Sequence, residues 1–524
     1  MPPRVPFDLS VHPWLLAQPR AAGTDVRRLG LRDVLARAHE LSDVELPLPP
    51  ATAGLWRVLA LLTARVTGLD TAEDPDEWLL RRAGYLEAGR LPEHEHRHGP
   101  GIDAYFAGLP GRFDLFGTER PWMQDPRLRE ECPKSAGVNK LVWGRPSGNN
   151  QVWLGHHIDA DPAPVPAAEA AWALLMWLYY GSSGRCASRS VTGKSGTVTE
   201  ANTTAGPLRR SVSFHPLGPT LFHSLLLNIP YPGDAEHADL APWEEDRLPD
   251  PLGLPPSGDG LAARLVNRYR HAVLLSPSPD GREVEDAWIT WAWRRTGPEI
   301  EDPYLIHDTS KTGSRYARPA DADRAIWRDI DALLLKSSSK GTTHRPLIFD
   351  TCTAASGVPH ELRAALRVRA YGFDQDGQTR DRQWFTAGTP PILDRLADEA
   401  ADGTPEATLR VTTAHDAAER SARALAAVLV AAWRDSTGVR EGNGPWRRAG
   451  MARFWPLAEQ EFWSIALDGD RTGPGNAFIR IALRVFDEVT GPYTRRPRVA
   501  EAVERARRGL YAGWVTENAP EESA

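Results

Sequence analysis

The sequence predicts an α+β protein, with a large mixed α/β N-terminal domain over residues 1–388 followed by a C-terminal four-helix bundle over 389–524. Three observations predict it. From about residue 389 onward, apolar residues recur at the three- and four-residue spacing of amphipathic helices. The stretch 255–385 holds alternating runs such as DAWITWAW and LRVRAYGF, which suit strands. Gly and Pro number 44 and 45, enough to join such elements by many ordered loops. At 524 residues the chain exceeds one ordinary domain, and about 150 residues per domain allows two to four.

Taken in order, residues 29–41 (LGLRDVLARAHEL) and 53–68 (AGLWRVLALLTARVTG) both have helical spacing, punctuated by LPLPP between them. FDLF at 113–116 and VWL at 152–154 read as short strands between long loops. Residues 167–180 (AAEAAWALLMWLYY) are apolar on nearly every side, so the helix they predict is buried, and Gly181 is its expected stop. Between Gly181 and Gly233 stand five bases (Arg185, Arg189, Lys194, Arg209, Arg210) against one acid, Glu200, among many Ser, Thr and Gly. That composition suits a phosphate-contacting loop or an ordinary solvated loop. A Lys- and Ser-rich turn lies at 336–341. In the last part, helices are expected at 408–434, 445–467, 475–490 and 497–513, broken by DSTGVREGNGP, DGDRTGPG and TGPYTRRP. Leu425, Val428, Leu429 and Ala432 align on one face, as do Phe478, Ile481, Ala482 and Val485.

The net charge of −7 argues against a protein that coats nucleic acid indiscriminately, because such binding is driven by phosphate neutralisation with Lys and Arg; any contact should be local. Cys132, Cys186 and Cys352 lie far apart, so neither a zinc ribbon nor a disulfide framework is expected and a reducing cytoplasm fits. The segment MPPRVPFDLSVHPW lacks the apolar core of a signal peptide, and no apolar run approaches a membrane span.

Catalytic patterns are missing. No nucleophile elbow, P-loop, HExxH helix or dinucleotide-binding turn occurs in a credible setting; VTGKSG ends like a P-loop, but Ser188 stands where the earlier glycine is required. His94, His96 and His98 in EHEHRHGPG could ligate a metal from one side of a strand, which leaves a metal-dependent hydrolase as an alternative, although a hydrophilic surface loop explains them as well. His156 and His157 are adjacent and would face opposite sides of a strand.

Several segments, read together, resemble the CasA family, the large subunit of the type I-E CRISPR Cascade complex. They are FDLSVHPWL followed by GLRDVLARAHEL, RFDLFGTERPWMQDP at 112–126, GVNKLVWGRPSGNN, the buried helix, YYGSSGR, and SFHPLGPTLFHSLLLNIP. Each is short; their order and spacing carry the resemblance, which runs over nearly the whole chain. It implies a subunit without an active site or cofactor, partnered by other Cascade subunits, the guide crRNA, double-stranded target DNA and a helicase-nuclease, with no membrane. Such a subunit holds the 5′ end of the guide, inspects the PAM duplex through the minor groove and helps start the R-loop. A different nucleic-acid-binding subunit of a multiprotein complex is the other alternative.

The resemblance also implies site residues. The family's glycine loop is similar to Gly181, Ser182, Ser183 and Gly184, whose small size lets backbone approach a groove. Its first flexible loop is similar to residues 140–150, with Lys140, Trp143, Arg145 and Asn149 as contacts to the guide RNA end. Its wedge, which parts the first target base pairs, resembles the turn Phe373, Asp374, Gln375, Asp376, Gly377, Gln378, where Asp-Gly signals a hairpin and either Gln375 or Gln378 is the wedge. The lysine finger has no clear equivalent, and Arg294 or Arg295 stands in its place.

Overall fold

A computed structural model of the chain describes residues 6–21, 25–148, 152, 155–233, 239–298, 300–336, 342–376, 380–397, 405–468 and 474–517. Its mixed helices and antiparallel sheets make it an α+β protein. Contacts divide it into two compact units, 1–324 with 339–394, and 325–338 with 395–524.

The first unit is organised by two buried helices. Pro49–Thr67 begins with prolines in its first turn, where the missing N–H is no loss, and stops at Gly68 with φ +67°. All its residues except Arg65 are buried. In Ala167–Tyr180 every residue except Glu169 is buried, as its apolar circumference requires. The two helices pack together, and a Cβ at Gly54 would lie 2.7 Å from the Tyr179 ring, so Gly54 sets their approach. Pro49–Thr67 also packs against the strand Arg367–Gln375, the centre of an antiparallel sheet between Val212–Leu217 and Asp381–Gly388. Ala167–Tyr180 packs against His271–Pro277, which pairs with Glu283–Trp291.

Part of the N-terminal expectation is corrected. The segment 29–41 is not one helix: Arg27–Leu29 and Leu41–Val44 are strands flanking Leu15–Pro19, and only Leu31–Ala36 is helical. Its apolar residues serve a sheet edge at both ends and a helix between them, a division that a single spacing does not reveal. FDLF at 113–116 is a turn touching Asp8 through one bridge at Asp114. Trp153 and Leu154 of the expected VWL strand, and residues 337–341 of the Ser-rich turn, lie outside the described residues.

The core holds an ionic network. Arg57 and Asp302, 1% and 2% exposed, form a two-pronged pair at 2.8 and 3.1 Å, and Arg268 adds a third contact at 3.1 Å. Burial alone would raise the Asp302 carboxyl, but Arg57 and Arg268 hold it at about 2. Beside it His215 is fully buried and neutral, its pKa pushed by burial to about 3. The ring donates to Asn228 Oδ1 and stacks between Trp56 and Tyr304, so its polar edge is satisfied while its faces are packed.

In the second unit the helices are Glu406–Thr437, Gly444–Asp468, Pro474–Thr490 and Pro497–Glu517, and the first contacts each of the other three. Leu425, Leu429, Ala432, Phe478, Ala482 and Val485 are buried, while Val428 and Ile481 are half-buried. Trp327, from Ile326–Asp329, stacks on Phe462 at 4.7 Å. His415 Nδ1 lies 2.8 Å from Asp331 and Nε2 3.0 Å from the Arg328 carbonyl. Two acceptors require two donors, so the imidazolium is favoured: burial alone would lower its pKa, but the hydrogen bond and charge of Asp331 raise it. Asp331, His415 and Asp416 are the one group of three close metal-ligating side chains among the described residues, yet both ring nitrogens of His415 are engaged. No helix among the described residues is long and apolar enough to cross a membrane.

Two expectations follow. Asp302→Ala leaves Arg57 buried and unpaired, a fault that costs about 3–5 kcal/mol; urea unfolding should show that loss, and one below about 1 kcal/mol would mean that the network contributes little. His415, with a raised folded pKa, contributes stability that is fully present below its ordinary value of 6.5 and is lost as pH rises through the folded value. The melting temperature should fall across that window in the native chain, and His415→Gln should flatten the profile.

Candidate nucleic-acid interface

The buried helix Ala167–Tyr180 delivers the glycine segment. Its last carbonyl, on Tyr180, accepts from Arg209 Nη1 at 3.2 Å, placing a cation where the helix end is negative. Arg209 is 8% exposed; its Nη2 reaches Asp381 at 2.8 Å and its Nε the Asp376 carbonyl at 3.1 Å. Asp381 opens the second strand of the hairpin Arg367–Gln375 and Asp381–Gly388. The same carboxylate accepts from Gln375 Nε2 at 2.7 Å and from Trp143 Nε1 at 2.9 Å. One acid therefore ties together the helix end, the hairpin and the segment around Trp143.

These segments border one cleft of about 840 Å³. Its floor is aromatic: Trp143 and Trp177 lie 4.5 Å apart, and Phe373 meets Trp384 edge-on at 5.5 Å. Its rim carries Lys140, Arg145, Arg185 and Arg382 with Asp381 as the one acid among the lining residues. Lys140 sits 5.6 Å over the Trp177 ring, and burial lowers its pKa. Arg145 donates to the Ala163 carbonyl at 2.5 Å. Cations around the half-buried rings of Trp143 and Trp384 suit a nucleic-acid strand, which offers phosphates and base faces together.

The two glycines of the loop differ. Gly181 has φ −52°, so it is not the left-handed helix stop expected. It is small because a Cβ there would lie 2.5 Å from the His271 ring. His271 is fully buried and neutral, its pKa pushed by burial to about 4, and its Nε2–H donates to the Ser182 carbonyl at 3.0 Å. Thus His271 both blocks and holds the loop. Gly184 has φ +100° with nothing within 4 Å of a Cβ, so its backbone needs glycine while its surroundings are open. Ser182 and Ser183 between them are half-buried.

The region 181–233 is folded, not a solvated loop. Gly184–Gly193 and Gly196–Thr203 form a hairpin turning at Lys194 and Ser195. Arg189 is buried, pairing with Asp125 and Glu131 at 2.7 and 2.6 Å, so it and Arg209 are structural cations, leaving Arg185, Lys194 and Arg210 exposed. The wedge residues are also redistributed. Phe373, Asp374 and Gln375 lie within the strand and are buried, because the pairing continues to Gln375 opposite Asp381. Asp376 N donates to the Arg380 carbonyl at 2.9 Å. Gly377 and Gln378, like Asn149, lie outside the described residues. Arg294 is not brought to the cleft: it stacks 5.3 Å from Trp291 and bonds Glu200 and the Asn202 carbonyl, and Arg295 beside it is exposed. Nor do the histidines at 94–98 converge on one point, since His94 turns to Asp103 and His96 to the Tyr85 hydroxyl.

Gly181→Ala is expected to lower stability by about 1–3 kcal/mol through overpacking against His271. His271→Ala in the same chain should return part of that loss, because the clash is then gone. Strictly additive effects in the double-mutant cycle would contradict the contact.

Comparison with known proteins gives the family and the fold. A model of the family described as CRISPR-associated protein Cse1 matches residues 8–483. A protein of Thermus thermophilus named CRISPR-associated protein CasA/Cse1 is 30% identical over 348 residues, covering 64% of this chain; the match spans 61% of that relative's length. A chain of a solved CRISPR RNA-guided surveillance complex superposes with a TM-score of 0.87 at 53% identity, covering 97% of this chain and all of that one. Thermobifida fusca Cse1 shares the fold, with a TM-score of 0.73 at 18% identity over 98% of each chain.

Proposed function

Since the chain belongs to the CRISPR-associated Cse1 family, the CasA large subunit of type I-E Cascade, we propose that it is a non-catalytic subunit of an RNA-guided surveillance complex that recognises the PAM of double-stranded DNA. The observation that carries this is the cleft in which Ser182 and Ser183 of the glycine segment, Lys140, Trp143 and Arg145, and the hairpin at Asp381 share one cationic, aromatic-floored surface. Its dimensions and charge suit a DNA backbone entering beside a glycine segment with open space on the side-chain side of Gly184.

In this reading Ser182, Ser183 and Gly184 approach the minor groove. Lys140, Trp143, Arg145 and Asn149 meet the guide RNA end next to other subunits. The stretch between Asp376 and Arg380 parts the first base pairs, and the burial of Gln375 favours Gln378 as the wedge. Gln375 holds Asp381, the first residue of the second strand of the hairpin. Arg294 and Arg295 supply positive charge outside the cleft, in place of a lysine finger. The four C-terminal helices act as a bundle, the N-terminal part ending near residue 388, and the protein works in the cytoplasm, where the loaded complex recruits a helicase-nuclease for antiviral defence. A subunit with net charge −7 gains little from DNA by itself, so tight binding requires the guide and the partner subunits.

The test is an electrophoretic shift with the complex assembled from the native chain or from Gly184→Leu. The native complex should bind a guide-matched duplex bearing the PAM at least about tenfold more tightly than one with an altered PAM, a difference of about 1.4 kcal/mol. Gly184→Leu should assemble normally and lose most of that preference. Equal binding of both duplexes by the native complex would reject PAM recognition, and an unchanged preference in the variant would reject the glycine segment as its reader.

A further inference from the structure

Only Met123 and Arg210, among the described residues that are not glycine, have positive φ; Arg210 stands at +66°. A side chain in the left-handed region crowds its own carbonyl, and the conformation persists only where neighbours enforce it. At Arg210 they do so from both sides. Its N–H donates to Gln375 Oε1 at 3.3 Å, and its carbonyl accepts from Ala320 N at 2.6 Å. The preceding residue, Arg209, is fixed by Asp381, Asp376 and Tyr180, and the Ser211 hydroxyl that follows donates to the Leu208 carbonyl at 2.7 Å.

The consequence is a reversal of direction within one dipeptide. Arg209 turns all its donors inward, whereas Arg210 is exposed and its guanidinium makes no hydrogen bond or ion pair among the described residues. Glycine would make this turn without strain. The turn alone therefore gives no reason for arginine; what it achieves is an unpaired cation beside the turn end of the hairpin, on backbone held from both sides. Gln375 spans that arrangement, with its carbonyl oxygen on Arg210 and its amide on Asp381.

We propose that Arg210 contacts a backbone phosphate of the target DNA beside the hairpin, and that Gln375 is its positioning residue. The proposal rests on the reading of the cleft as a PAM-duplex site and adds to it a cation outside the glycine segment and the turn. Arginine fits the role because its planar fork matches phosphate oxygens and keeps its charge at any relevant pH.

The experiment measures binding of a PAM-bearing, guide-matched duplex by complexes assembled with the native chain, Arg210→Gly or Arg210→Lys, between about 50 and 200 mM salt, together with each chain's melting temperature. Arg210→Gly should melt at or above the native temperature, because strain is relieved. It should also bind several-fold more weakly, with a plot of log affinity against log salt shallower by about 0.9, the slope of one lost phosphate contact. Arg210→Lys should keep the native slope. A native slope in Arg210→Gly overturns the proposal, whether affinity is unchanged or falls with a lowered melting temperature. If the native complex does not distinguish PAM-bearing from PAM-altered duplexes, the underlying reading fails instead, a result visible without either variant.

Discussion

The Arg209–Asp381 pair is the contact on which the arrangement of the cleft depends. Arg209 comes from the segment that follows the ribbon Gly184–Thr203, and Asp381 from the hairpin 172 residues later. Between them they hold the last carbonyl of the buried helix, the carbonyl of Asp376, the amide of Gln375 and the indole of Trp143. A cation this buried is tolerable only if it is paired and hydrogen-bonded, and here each of its three nitrogens has an acceptor. Satisfying them fixes three otherwise independent segments at once, so the geometry of the cleft follows from the solvation requirement of one guanidinium.

The same logic separates the basic residues by role. Arg57, Arg189 and Arg209 are buried and spend their donors on carboxylates and carbonyls, so they hold the fold. Arg185, Arg382 and Arg145 border the cleft, Arg382 pairing with Asp374 at 3.1 Å and Arg145 with the Ala163 carbonyl, so their charge stands at its edge. In a chain with net charge −7, only a local excess of the second kind can attract phosphate, and it occurs beside the aromatic floor formed by Trp143, Trp177 and Trp384. In the proposed function, weak, local attraction would ease release of non-target DNA, because the sequence-independent term is kept small.

Much of this was legible in the residues. The all-round apolar AAEAAWALLMWLYY could only be a buried helix, and DAWITWAW and LRVRAYGF alternated as the strands they form. The C-terminal helical spacings were strong because long amphipathic periods leave little alternative. What was hidden are contacts between residues far apart in sequence. Nothing in TRDRQW marks Asp381 as the partner of Arg209, and nothing in GSSGR shows that Gly181 is small because His271 presses on it. The segment 29–41 was misleading for a different reason: its apolar residues satisfy helical spacing and also feed two strands that form only because Leu15–Pro19 lies between them. Gln375 belongs with these hidden cases, since a hairpin turn signal locates the turn but not how far the strand pairing runs toward it.

The central claim is that the segment Gly181–Gly184 lies against the PAM, and proximity tests it most directly. A photoactivatable cross-linker attached at Ser183→Cys, in a chain whose partly exposed Cys186 is replaced by serine, would be carried into the assembled complex on a guide-matched duplex. Cross-links confined to nucleotides of the PAM, and lost when its sequence is altered, are the result this account predicts. Cross-links to the guide RNA or to distal duplex, with the PAM unmarked, would contradict it.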